Sequence, residues 1–322
     1  MTTIEILGVR HTYDLTPPTA SSSTPVLVFI HGWLLSRRYW QPLIEQLAPD
    51  YQCLSYDLRG FGDSQPLDNY GFTRQGPSVQ SRQVGESRQE ENFLRSREPL
   101  ALSFSNYTPA AYAKEVGVLL QKLNISSAWL IGHSLGGSIA LWAADQQPDC
   151  VKGVVCINAG GGIYLKEAFE RFRAAGQQLL KRRPHWLCYV PGIDLPFTRA
   201  QVARPIARCW GRQRLIDFIT AHPEAALGTL LDSTTEAEVN RLPQVVSRLK
   251  QPVYFIAGAK DRVMEPKYVR HLASFHPLFQ GCGDNVMEIP DCGHLSMVEQ
   301  PEAVATEIRK IIANCPDSSN FA

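Results

Sequence analysis

Trp129-Leu130-Ile131-Gly132-His133-Ser134-Leu135-Gly136-Gly137 is the stretch on which the reading of this chain turns. An apolar run leads into Gly-x-Ser-x-Gly, and Ser138-Ile139-Ala140-Leu141-Trp142 continues in a helix-compatible pattern. A strand that turns sharply into a helix crowds its own backbone, and glycine at 132 and 136 relieves the crowding. The turn lifts Ser134 Oγ above the edge of a sheet. The N–H of Leu135, at the helix start, points at the same space and is placed to bind a developing oxyanion.

A serine hydroxyl is a weak nucleophile without a base. Pro290-Asp291-Cys292-Gly293-His294 follows the apolar run Val286 to Ile289, and Gly293 allows a tight turn that presents His294. A base in turn needs a carboxylate to hold its tautomer and stabilise the imidazolium. Ala257-Gly258-Ala259-Lys260-Asp261 follows the run Val253 to Ile256, so Asp261 stands on a loop at the same sheet edge; Asp284 and Asp291 are less well placed rivals. The order Ser134, Asp261, His294 is the one expected when the nucleophile sits on a strand–turn–helix. A second oxyanion donor is expected after the run Val26-Leu27-Val28-Phe29-Ile30, where Gly32 admits a ligand to the backbone and Trp33 supplies the N–H. His31 reads as shaping that loop rather than as a base. Asp57-Leu58-Arg59-Gly60-Phe61-Gly62-Asp63-Ser64 reads as a tight turn, with Arg59 and Asp63 holding it by hydrogen bonds.

Outward from these stretches the chain alternates. Short apolar runs at Val26 to Ile30, Gln52 to Tyr56, Ala128 to Ile131, Gly153 to Ile157, Val253 to Ala257 and Val286 to Ile289 suit strands buried on both faces of a parallel sheet. Amphipathic stretches lie between several of them: Pro109 to Leu123 with Thr108 as N-cap, Gly136 to Gln147, and Pro301 to Ala313. Thr2 to Leu15 is expected to form an opening strand or hairpin. The alternation predicts an α/β fold, a mostly parallel central sheet with helices on both faces. Two regions interrupt it. Gln65 to Ser105, with five basic and five acidic residues and few apolar ones, is expected to be a surface insertion. Residues 161–248 are helical in pattern and read as a lid over the sheet's C-terminal edge, where ligands bind in such folds. In that segment Leu165, Ala168, Phe169, Phe172, Ala175, Leu179 and Leu180 share one helix face. The expected division is thus a core of residues 1–160 and 249–322, with the lid between.

Composition bounds the function. The 322 residues are 44% hydrophobic and 20% charged, enough to build a sizeable core. Thirty-two Lys and Arg against 31 Asp and Glu give a net charge of +1, which argues against nucleic acid as a partner. No run reaches the roughly 18–20 apolar residues of a membrane span. The N-terminus does not read as a secretory signal, so a cytoplasmic location is expected. The eight cysteines contain no CxxC pair and read as reduced thiols, Cys282 and Cys292 included, and no metal centre is expected. Between Ile163 and Arg214, eleven Lys and Arg against three Asp and Glu are interleaved with aromatics. That pattern fits either a membrane-surface face or a solvated face over an apolar pocket.

Five stretches in order resemble the α/β-hydrolase superfamily, in its lidded esterase- and lipase-like branch: His31-Gly32-Trp33, Asp57 to Ser64, Gly132 to Gly137, Gly258-Ala259-Lys260-Asp261-Arg262 and Gly293-His294. The resemblance spans nearly the whole chain outside the polar insertion and much of the lid. It implies nucleophile Ser134, acid Asp261, base His294, oxyanion donors at Trp33 and Leu135, and no cofactor. Some relatives carry the acid after an earlier strand; here that place reads Ile157-Asn158-Ala159, without a carboxylate, which favours Asp261. Serine in place of an aspartate nucleophile argues against the dehalogenase and epoxide-hydrolase branches. The expected activity is hydrolysis of a lipophilic carboxylic ester through an acyl-enzyme. The alternatives are thioester or carbon–carbon bond cleavage, an elimination, or a ligand receptor with vestigial turnover.

Overall fold

The computed structural model describes residues 1–19, 24–65, 107–160, 166–181, 183–279, 283 and 285–314. Apart from Gln65, the expected polar insertion lies outside them, as do Cys282, Leu165 and the side chains of Ala168, Phe169 and Phe172.

The first fifteen residues form a hairpin, β1 (Thr2–Ile6) and β2 (Val9–Leu15), turned through Leu7 and Gly8 at positive φ. The remaining strands are β3 (Val26–Ile30), β4 (Cys53–Tyr56), β5 (Ala128–His133), β6 (Val151–Ile157), β7 (Val253–Gly258) and β8 (Val286–Ile289). They make one sheet in the order β1-β2-β4-β3-β5-β6-β7-β8. Pairing is antiparallel from β1 through β2 to β4 and parallel from there on. β3, β4 and β5 are buried almost throughout, which is why Val26 to Ile30 and Ala128 to Ile131 read as unbroken apolar runs rather than alternating ones, while β4 buries Ser55 within its run.

Helices cover both faces. On one side lie α1 (Gln41–Leu47), the short α9 (Ser296–Glu299) and α10 (Pro301–Ala313), packed over Leu27, Phe29, Ile131 and Ile157 with Trp40 fully buried among them. On the other lie α2 (Pro109–Lys122), α3 (Leu135–Gln146) and α8 (Pro266–Ala273), over Val28, Ile30, Leu130 and Phe255. α2 begins as its sequence dictates: Thr108 Oγ1 accepts the N–H of Ala111 at 3.1 Å, and Pro109 occupies the first turn, where its missing N–H costs nothing.

Between β6 and β7 the chain leaves the sheet for a helical insertion. Its helices are α4 (Lys166–Lys181), α5 (Arg208–Thr220), α6 (Pro223–Ser233) and α7 (Glu236–Arg248). The insertion is tied to the core from several sides. His222 N–H donates to Gly60 O at 2.8 Å, Trp142 Nε1–H to Glu238 Oε1 at 2.6 Å, and His294 N–H to Gln201 O at 2.8 Å. The expected apolar face of α4 is not uniformly covered. Leu180 packs against the core, whereas Ala175 and Leu179 are exposed. Trp186, Tyr189 and Leu195 of the same insertion are exposed as well. Among the described residues no helix is long and apolar enough to cross a membrane. Cys53, Cys150, Cys156, Cys188, Cys209 and Cys292 form no disulfide with one another.

Candidate active site

β5 ends at His133, and Ser134 turns the chain into α3 with φ 52° and ψ −118°. A non-glycine residue held at positive φ outside the common regions is strained, and only close packing maintains it. The packing is visible in the two flanking glycines. A Cβ on Gly132 would fall on the carbonyl of Gly136, and one on Gly136 would fall on the carbonyl of Ile30. Leu135 opens α3, where helix geometry leaves its N–H without an intrahelical acceptor.

The loops after β7 and β8 bring the other two residues together. His294 Nδ1–H donates to Asp261 Oδ2 at 2.7 Å, in a pair almost wholly buried. A neutral imidazole with its proton on Nδ1 has an unprotonated Nε2. Asp261 Oδ1 accepts the N–H groups of Val263 at 2.8 Å and Met264 at 2.9 Å. Burial pushes the Asp261 carboxyl up, but the His294 imidazole and these N–H donors outweigh it and hold the group below the usual carboxylate range. Neither of the rivals takes this place: Asp291 pairs with Lys260 and Arg204 at the surface, and Asp284 lies outside the described residues.

Ser134 and His294 line one cavity of about 270 Å³, together with Trp33, Leu34, Phe197 and Phe218. The loop after β3 forms its floor. His31 Nε2 accepts the N–H of Leu58 at 3.0 Å, which puts its proton on Nδ1, bonded to Gly32 O at 2.8 Å. Burial lowers the His31 pKa, so the ring stays neutral and shapes the loop that carries Trp33. The Trp33 indole N–H reaches across to Ala226 O of α6 at 2.9 Å, tying the same loop to the helical insertion.

The order and pairing of these elements agree with the comparisons. Residues 25–301 match the family described as the alpha/beta hydrolase fold. The chain belongs to that family. It is 24% identical to the 2-succinyl-6-hydroxy-2,4-cyclohexadiene-1-carboxylate synthase of Serratia proteamaculans, over 90% of this chain and 94% of the relative. It is 27% identical to the pimeloyl-[acyl-carrier protein] methyl ester esterase of Xanthomonas campestris pv. campestris, over 91% and 96%. A thermophilic esterase from Thermogutta terrifontis shares the fold with a TM-score of 0.68 at 20% identity, over 97% of this chain and 98% of that one.

Several parts of this α/β-hydrolase's site carry no plain sequence signal. Asn158, at φ 49° just past β6, donates from Nδ2 to Asp261 Oδ2 at 2.9 Å and to Gly293 O at 3.1 Å, while its Oδ1 accepts from Ser296 Oγ. One amide thus joins the acid's loop to the base's loop. His133 donates from Nε2 to His294 O at 2.7 Å, with the two rings 4.8 Å apart. Burial pulls the His133 pKa down to about 3, so it is a neutral buttress. Glu299 accepts the N–H groups of Gly293 at 3.1 Å and Leu295 at 3.2 Å and fixes the turn around His294. The turn of Asp57 to Ser64 is held as expected at Asp63, which pairs with Arg37 and Arg38. Arg59 instead reaches α2, bonding Glu115 at 2.7 Å beneath the ring of Tyr107.

Proposed function

We propose that this α/β-hydrolase is a serine hydrolase that cleaves a carboxylic ester of a lipophilic compound. The observation that carries the reading is the 2.7 Å bond from His294 Nδ1 to Asp261, on a ring that shares an apolar cavity with Ser134. His294 Nε2 takes the Ser134 proton as Oγ attacks the ester carbonyl. The backbone N–H groups of Trp33 and Leu135 stabilise the oxyanion, and Asp261 stabilises the imidazolium. The imidazolium returns the proton to the departing alcohol. A water, deprotonated by His294 in turn, then hydrolyses the acyl group from Ser134. The apolar lining favours acyl or alcohol portions with little polarity.

Hydrolysis of p-nitrophenyl esters from acetate to palmitate tests the reading. Rates should rise toward medium or long chains and fall by about 10⁴-fold or more in Ser134→Ala. Folded wild-type protein that turns over none of them contradicts it.

Residues 161–248 act in this reading as a lid. Trp186, Tyr189 and Leu195 are exposed on it, as are Arg199 and Arg212, a combination of apolar and cationic groups that suits an anionic lipid surface. Sedimentation with phosphatidylserine vesicles should be reduced in Trp186→Ala/Tyr189→Ala and by high salt. Equal sedimentation of both proteins speaks against this contact.

The resemblance to a synthase keeps one second reading in view, an elimination in which Ser134 acts as a base. Mass detection of an acylated Ser134 after mixing with ester separates the two, because elimination forms no acyl-enzyme.

A further inference from the structure

The cavity above Ser134 is apolar on most sides, yet it holds one ion. Among its described lining residues Arg214 is the sole Lys, Arg, Asp or Glu. It projects from α5 and is only 8% exposed. Its Nη1 donates to the carbonyls of Phe197 at 2.8 Å and Ala200 at 2.5 Å, and its Nη2 to Gln201 Oε1 at 2.8 Å. All three acceptors are neutral. A guanidinium has five N–H donors, so the Nε–H and the second Nη2 proton are left without an acceptor among the described residues.

The acids nearby are engaged elsewhere. Asp217, one turn along α5, accepts from Ser36 at 3.0 Å and Gln213 at 2.9 Å. Glu299 binds backbone N–H groups around His294 and that of Ala203. The contrast within α5 is direct. Arg208, on the outer side and 65% exposed, meets Asp194 through Nε and Nη2 at 2.6 and 3.1 Å. The exposed arginine has a carboxylate in its fork, and the buried one above Ser134 has none. A buried cation without a counter-charge is costly, and proteins rarely keep one that nothing will neutralise. Burial accordingly lowers the Arg214 pKa despite the fields of Tyr39 and Glu299.

We propose that Arg214 is the binding site for a carboxylate borne by the substrate, held in the same cavity as the ester bond that Ser134 attacks. As a statement about substrate, this rests on the hydrolase reading; as a statement about binding, it is measured separately. A purely structural arginine would pin residues 197–201 through its three carbonyl-type acceptors and would not distinguish an anionic ligand from a neutral one. The substrate class is then a half-ester: a carboxylic ester at one end of an apolar chain and a free carboxylate at the other.

The test is calorimetric titration of Ser134→Ala protein, which does not consume the probe, with monomethyl esters of the dicarboxylates from succinate to suberate. Each is compared with its dimethyl ester. At one or more chain lengths the anionic half-ester should bind about tenfold tighter or more than the neutral diester. Adding Arg214→Gln should remove that preference and leave the affinity for the diester in place. If Arg214→Gln does not fold, Arg214→Lys, which keeps the charge and loses the fork, should diminish the preference. Equal affinity for half-ester and diester at every chain length overturns the proposal, and so does a preference that survives substitution of Arg214 undiminished. Failure of the hydrolase reading looks different: the preference would persist while wild-type protein forms no acyl-enzyme at Ser134.

Discussion

Asn158 is the residue on which the geometry of the site converges. Its amide spans Asp261 Oδ2 and Gly293 O, so the acid and the turn that presents the base move as one. Asn158→Ala removes both bonds and leaves the three proposed reacting residues in place. The expected result is a loss of about 10- to 100-fold in kcat/KM, because small misplacements of a general base are costly. Asn158→Asp has a second signature. A new carboxylate beside Asp261 raises the pKa of the pair, so the acidic limb of the pH–rate profile should move to higher pH. A merely structural role for Asn158 would lower stability without moving that limb, and parallel melting and pH–rate measurements separate the two. For Asp261 itself the sign is fixed by its lowered pKa. Its contribution to stability is present above the ordinary aspartate range and is lost as pH falls through the folded value.

At the scale of elements, α5 is held to the loop after β3 by a buried acid. Ser36 Oγ donates to Asp217 Oδ2 at 3.0 Å, and Gln213 Nε2 donates to Oδ1 at 2.9 Å. Burial pushes the Asp217 pKa up to about 7, with these hydrogen bonds opposing it and the charge of Asp57 adding to it. A raised folded-state pKa means that the fold favours the protonated acid. Stability is therefore full below the ordinary aspartate pKa and declines as pH rises toward 7, beyond which the penalty is constant. Asp217→Asn keeps the shape and removes the charge. It should raise Tm at pH 8 and change it little near pH 4, a difference on the order of a few kcal/mol at most. An equal shift at both pH values would refute this account of α5.

Over the whole molecule, the sequence was most legible where one physical requirement acted alone. Strands buried on both faces must be apolar throughout, and β3, β5 and β7 stand where their runs predicted them; β8 also stands in its place, but as a partly exposed edge strand that carries Glu288. The turn at Ser134 needs glycine on both sides, and the backbone contacts at Gly132 and Gly136 give the reason. Strand order was not legible, because a short apolar run carries no record of its neighbour. Asn158 is marked in the sequence only by standing where some relatives carry the acid; its bridging role is not legible, because a neutral amide has no chemical signature until its partners are in place. Arg214 was hidden for a related reason: in a helix rich in arginine, sequence does not say which one turns inward. The face expected on α4 is bare at Ala175, whereas half-exposed Leu179 lines the cavity of Ser134, since periodicity marks a stripe but not what covers it. What remains central is the claim that Ser134 is a nucleophile activated by His294. Intact-mass and peptide-mass analysis after exposure to a fluorophosphonate tests it most directly. The account predicts one adduct per chain, on Ser134, formed at least about 10²-fold more slowly in His294→Ala. A folded wild-type protein that stays unmodified, or that is modified at another residue with Ser134 untouched, would contradict it.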